Sequence, residues 1–204
     1  MSSVTFPNGD IYTSSALSPG QMDTTFQALT TLMLGLASTD PLANTKVRLS
    51  WQTSGAPAYT IDDDVLFIRC REESTPYSEV RDEVRTDNGD GSHNRTRTYS
   101  RMWNVFFRAR GPNSFDTIRL IKSMLLEDWT HDSLAQSKLY MITVMGTPVR
   151  APELYEGRWW EQVDFNADFL EQIDETLTAG NVASVEVIGQ TDTGESFDVK
   201  VTGS

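Results

Sequence analysis

Two stretches of alternating polarity constrain this chain more than any other feature. In the segment from Arg158, Trp159, Val163, Phe165, Ala167 and Phe169 alternate with Trp160, Gln162, Asp164, Asn166 and Asp168. Successive side chains of a strand point to opposite faces, so this pattern predicts a long strand with one buried and one wet face. A second long strand is predicted from about Arg95 to Ala109. Trp103, Val105, Phe107 and Ala109 share one of its faces, and the same parity further back falls on Arg95, Arg97 and Arg101. That strand reads as half core and half projecting arm. Asp64 to Arg71 is a largely apolar run and reads as a buried strand. The two are expected to form a hairpin from Val65 to Ala109 whose distal half leaves the domain. Asn88-Gly89-Asp90-Gly91 marks a turn. Residues 77–86 fit either a charged strand or a short helix using Val80 and Val84.

Two main helices are predicted. Ser18 is placed as an N-cap, with Pro19 at the first helical position and Gln21 completing a capping box. Met22, Phe26, Leu29, Leu32, Met33 and Leu36 follow at helical spacing, and Gly35 with Ser38-Thr39-Asp40-Pro41 ends the run. Gly111-Pro112-Asn113-Ser114 stops the second long strand, because proline cannot continue it, and starts the other helix. Asn113 is placed as its N-cap and Asp116 in its first turn. Phe115, Ile118, Ile121 and Leu125 form its apolar stripe, with Phe115 facing the sheet. A shorter helix is expected over Asp132–Lys138 and strands over Lys46–Trp51 and Leu139–Val144. A closing hairpin of Val182–Ile188 and Phe197–Val201 turns around Thr191-Asp192-Thr193-Gly194. The fold class is thus α+β: mainly antiparallel sheet, two main helices packed on one face, and a projecting β-hairpin arm. One domain over residues 1–204 is expected, with 72–101 as an extended arm or loop within it.

Charge narrows the function. The 204 residues carry a formal net charge of −12, which argues against general DNA binding because that begins with neutralising phosphates. Gly91 to Ser114 nevertheless holds Arg95, Arg97, Arg101, Arg108 and Arg110 and no carboxylate, whereas acids gather in Asp62–Asp90 and Glu153–Glu175. Opposite patches on one chain suit self-association as well as they suit a ligand. No apolar run approaches the roughly 20 residues of a bilayer span, and no basic stretch followed by an apolar one opens the chain. A soluble product made in the host cytoplasm, with no membrane contact, is expected.

Chemistry is hard to find. The two histidines, His93 and His131, have no partner at metal-ligand spacing. Cys70 sits in an apolar run and reads as a small core residue. Asp62-Asp63-Asp64 is the dense carboxylate cluster. Consecutive strand side chains diverge, so a solvated edge is the better reading than a divalent-cation site. No nucleophile elbow, P-loop or dinucleotide fingerprint is present. The expectation is a non-enzyme with no cofactor, no metal site and no catalytic residues.

Two motifs carry a resemblance. Trp103 to Asp116, through Gly111-Pro112-Asn113-Ser114, is similar to the strand–turn–helix signature of phage neck terminator proteins. Val149 to Phe165, with Pro152-Glu153-Leu154, Gly157 and Trp159-Trp160-Glu161, resembles that family's second signature. The likeness covers roughly Met102 to Thr176. The family often has arginine where this chain has Gln162, so a salt bridge from that arginine is not carried over. Of the paired tryptophans, Trp159 is expected inward and Trp160 toward a partner or loop, against the alternative that both cover one core.

The resemblance implies a structural virion protein. It would be a tail terminator, a ring that is expected to be a hexamer, capping the tail tube and joining it to the head-side connector or stopper protein. Double-stranded DNA would pass through the lumen without sequence readout. Arg95, Arg97, Arg101, Arg110, Asn113, Glu153, Trp160 and Glu161 are the expected subunit or partner contacts. The competing readings are a head-closure or connector ring, a binding module without ring symmetry, and a metal-dependent hydrolase built on Asp62–Asp64.

Overall fold

The structure, a computed structural model, describes residues 2–37, 43–50, 59–76, 80–155, 157–180, 184–190 and 196–202. It is α+β and mostly antiparallel, as expected. Two short strands, β1 (Ser2–Thr5) and β2 (Ile11–Ser14), precede helix α1 (Pro19–Met33). A single turn of helix, α2 (Ala43–Lys46), leads into β3 (Val47–Leu49), followed by β4 (Val65–Glu73), β5 (Arg81–Asp87) and the 19-residue β6 (Ser92–Arg110). Helices α3 (Ser114–Met124) and α4 (Asp128–Gln136) come next. Four short strands follow, β7 (Leu139–Met141), β8 (Val149–Arg150), β9 (Glu153–Tyr155) and β10 (Arg158–Trp160). The chain then enters the 19-residue β11 (Gln162–Gly180) and closes with β12 (Ser184–Gln190) and β13 (Ser196–Thr202).

The chain divides into two compact units. One comprises Ala16–Val80 and Tyr99–Ile173. In it β11, β6, β4 and β3 are neighbours in that order. β4 runs antiparallel to β6 with Val65 opposite Arg110 and Cys70 opposite Val105, the pairing predicted from alternation. β3 adds to β4 in parallel, and β7 and β8 pair with β11. Met22, Phe26, Ile118, Ile121 and Leu125 of the helical layer meet Trp103, Val105, Phe107, Val163, Phe165 and Phe169 of the sheet in one core. Phe26 meets Phe169 edge-on at 4.7 Å, and Phe107 stacks on Phe165 at 5.8 Å. Each such ring is worth about 2–3 kcal/mol in removed apolar surface.

The other unit comprises Met1–Ser15, Arg81–Thr98 and Asp174–Ser204. β1 and β2 form a hairpin, and β2 pairs antiparallel with the end of β11, Glu175 opposite Ser14. β5 pairs with β6 across the Asn88–Gly91 turn, where Gly89 and Gly91 have φ of 74° and 82°. From Arg81 onward the open choice is settled as a strand, β5, every residue of which is exposed, while residues 77–79 lie outside the described residues. β12 and β13 form the predicted closing hairpin, Val187 opposite Val199.

Local chemistry explains the ends of α1. Gln21 donates its backbone N–H to Ser18 Oγ, and Ser18 donates its own N–H to Gln21 Oε1, the predicted capping box. Gly35 follows the helix at φ 70°, the left-handed stop that glycine favours. Ser38–Pro41, Trp51 and the Thr191–Gly194 turn lie outside the described residues.

Several expectations need correction. Leu32 is 53% exposed and Phe115 41%, so neither belongs to its helix's buried stripe. The second short helix starts four residues earlier than predicted, and its following strand stops at Met141. The long strand predicted from Arg158 is broken at Glu161. β10 pairs only with β9 in a separate two-stranded sheet, so strand parity does not carry across the break. Trp159 is consequently outward, 66% exposed, rather than inward.

Candidate interaction site

The two sequence motifs meet at Gly111. Its φ is 110°, and a Cβ there would lie 2.5 Å from Asp63 O and 2.6 Å from Asp64 Oδ1. Only glycine lets β6 turn this close beneath the preceding loop. Gly111 donates its N–H to Glu161 O, between β10 and β11. Asn113 does not cap α3 through its side chain, contrary to the sequence reading. Asp64 accepts instead from both the backbone N–H and the side-chain Nδ2 of Asn113, each at 2.8 Å. The carboxylate thereby holds the turn to the start of β4. Its neighbour Asp63 accepts from the N–H and hydroxyl of Thr60, which hold its carboxyl below the usual range. Asp62 is exposed, so the three carboxylates take three different roles. No group of metal-ligating side chains occurs among the described residues.

Arg110 extends this junction. Its Nη2 donates to Glu153 at 2.5 Å and its Nη1 to the Tyr59 hydroxyl at 2.8 Å. Trp160 stands perpendicular to the Tyr59 ring at 5.6 Å, while Phe67 lies 5.7 Å from its centroid. Arg150 pairs with Glu161. Arg110, Asn113, Glu153, Trp160 and Glu161, singled out from two distant stretches of sequence, thus occupy one neighbourhood. Sequence reasoning missed Tyr59 and Asp64 as its connectors. Tyr59 closes a loop with no periodicity, and Asp64 was read as one of three equivalent acids. Cross-strand from Trp159, Leu154 is 57% exposed, giving the β9–β10 hairpin an outward apolar pair.

Arg101 has a different setting. It lies 4.8 Å from the Trp103 ring centroid and donates through Nε and Nη2 to Glu171. Glu171 is 1% exposed and also accepts from Trp103 Nε1 at 2.8 Å and from the Leu17 N–H at 2.6 Å. Arg101 Nη2 reaches Leu17 O as well, so this buried pair ties β6 and β11 to the entry of α1. A signal existed: Arg101 and Glu171 both fall on the core-facing parity of their strands.

Arg95 and Arg97 converge with Arg85 on Glu83 of β5, Arg95 at 2.6 Å. The Arg95 hydrogen bond leads in drawing the Glu83 carboxyl down to about 2. Elsewhere, burial and the nearby Asp23 carboxylate push the Cys70 thiol well up, and it packs partly buried against the core.

These features define an α+β scaffold whose charged side chains tie strands, turns and hairpins together. The particular family follows from comparison: the profile of the phage neck terminator protein family matches residues 21–196, and the chain belongs to that family. The match extends far beyond the two motifs, from within α1 through β3, β4 and β5 and on to β12. It makes the chain a structural protein of the phage neck. No curated protein sequence matches it.

Proposed function

We propose that this protein is the tail terminator of its phage. Copies of the chain form a ring, expected to be a hexamer, that caps the tail tube, ends its growth and docks to the head-side connector or stopper. The observation that carries the reading is family membership over residues 21–196. A net charge of −12 supports a lumen through which DNA slides, since a basic wall would retain phosphates. The protein performs no bond chemistry in this reading.

Contacts with neighbouring copies or with the tube are assigned to two groups. In one unit they are Arg95 and Arg97 with the exposed strand β5, on which Val84 is 62% exposed. An exposed strand of this kind, charged around one valine, can pair through its backbone with another chain. In the other unit they are Arg110, Glu153, Trp160 and Glu161 with the outward Trp159–Leu154 pair. Asn113 and Arg101 support these surfaces by fixing the turn and the strand beneath them.

The test is removal of the gene from the phage. Cells infected by the deletion phage are expected to accumulate filled heads and unjoined tails of irregular length, and supplying the protein restores joined particles. Joined particles of normal tail length without the protein would reject the reading. Tails of normal length that fail only to join would favour a head-side connector instead.

A further inference from the structure

The sheet of the larger unit has helices on one side; on the other, among the described residues, the Tyr59 ring meets Phe67 at one end while Arg69 and Arg71 stay exposed. On that face arginine alternates with phenylalanine across the strands. Arg48 lies opposite Phe67, Phe67 opposite Arg108, and Arg69 opposite Phe106. Arg69 and Arg71 are exposed, Arg71 at 63% of its side chain, and Phe106 and Arg108 are half-buried. Arg69, Phe106 and Arg108 line a shallow cleft that continues past Arg71 and Asn104. Some charge here is answered within the chain: Arg71 meets Glu73 at 3.0 Å, and Arg108 makes a two-point contact with Asp164. Asp168 also lies on this face, accepting from Asn104, so the surface combines arginines, a few paired carboxylates and ring faces on a chain that is strongly acidic as a whole.

The helical side carries the opposite surface. At the corner between α3 and α4, Leu126 is 55% and Trp129 40% exposed. Glu127, Asp128 and Asp132 surround them, all exposed, while Leu134 anchors α4 in the core. One surface offers cations and ring faces; the other offers carboxylates, an indole and a leucine. They lie on opposite sides of one sheet. A head-to-tail contact that closes a ring requires two different, complementary patches on the same chain.

We propose that the acidic α3–α4 corner of one copy docks on the arginine–phenylalanine sheet face of the next. Asp128 and Asp132 meet Arg69 and Arg71, and Trp129 lies against Phe106 and the arginine side chains. This contact rests on the ring reading above and supplies its interface.

The test uses the deletion phage complemented by variant genes. Arg69→Glu with Arg71→Glu is expected to reduce the yield of joined particles roughly tenfold or more, and Asp128→Arg with Asp132→Arg to do the same. A chain carrying all four reversals restores the yield, because the swapped patches again match. Thermal melting of each purified variant near the wild-type midpoint shows that the losses are not failures to fold. If the combined chain folds and remains as defective as the separate ones, the docking is wrong. Wild-type yield from either pair alone also rejects it. Particles that join normally but lose DNA when only the arginines are reversed would assign the face to DNA, and the docking is again rejected. Normal joined particles from the uncomplemented deletion phage would instead remove the ring reading itself.

Discussion

Glu171 shows how one residue holds distant segments together. A carboxylate buried to 1% exposure tolerates its charge only because Arg101, Trp103 and the Leu17 N–H all donate to it. Glu171→Ala takes the acceptor from the Trp103 indole N–H and the Leu17 N–H and leaves Arg101 only Leu17 O and Glu72, and urea unfolding is expected to show a loss of about 3–5 kcal/mol. Trp103→Phe removes one donor and part of a ring, and a smaller loss of about 1–3 kcal/mol is expected. Equal losses for the two variants would mean that the carboxylate has no special place. Gly111→Ala forces a Cβ against the Asp63 backbone in a left-handed conformation, and a loss of about 2–4 kcal/mol is expected by the same measurement. At this scale the sequence was partly readable. Gly111, Asn113 and Arg110 stood out because a strand had to stop there. Asp64 did not, because its partners lie 49 residues away. Asn113 was recognised as a turn residue but given the wrong partner, since local spacing alone cannot distinguish a capping side chain from one held by a remote acid.

Elements were most legible where periodicity was long. The capping box, the registered β4–β6 pair and the core parity of β6 and β11 all follow from spacing that local physics enforces. The error at Trp159 has a clear origin: a parity argument fails once hydrogen bonding changes partner, and β10 belongs to another sheet than β11. The β5–β6 hairpin offers a pH prediction. Glu83 has its carboxyl lowered from 4.5 to about 2, chiefly by Arg95. A depressed carboxyl pKa stabilises the folded form fully above the unfolded value, and the contribution fades as pH falls toward the folded one. Amide exchange across Arg81–Asp87 is therefore expected to quicken between pH 4.5 and about 2 relative to the core strands, after correction for intrinsic rates, and Glu83→Gln should exchange fast throughout that range. No change in relative protection over that window would show that the three arginines do not order the strand. Val84→Asp is expected to leave the unfolding free energy within about 0.5 kcal/mol of wild type, since the side chain is exposed, while lowering tail joining if β5 touches a neighbour.

At the scale of the whole chain, the sequence held no apolar run long enough for a helical span and its acidity argued against general DNA binding, but neither named an activity. The family match adds the phage neck, and the proposed ring adds an assembly that a single chain does not display. Surfaces that meet another copy are built from ordinary arginines, acids and exposed rings, which carry no spacing signature until the fold sorts them onto opposite faces. The lone thiol has a practical consequence. Alkylating reagents attack the thiolate, and Cys70 in the middle of β4 is kept protonated and partly covered. A maleimide added to the native protein should consequently react at the pace at which β4 separates from its neighbours. Nature has left one timer in the sheet, and its ticking in free subunits and in finished particles would measure how far assembly quiets the protein's breathing.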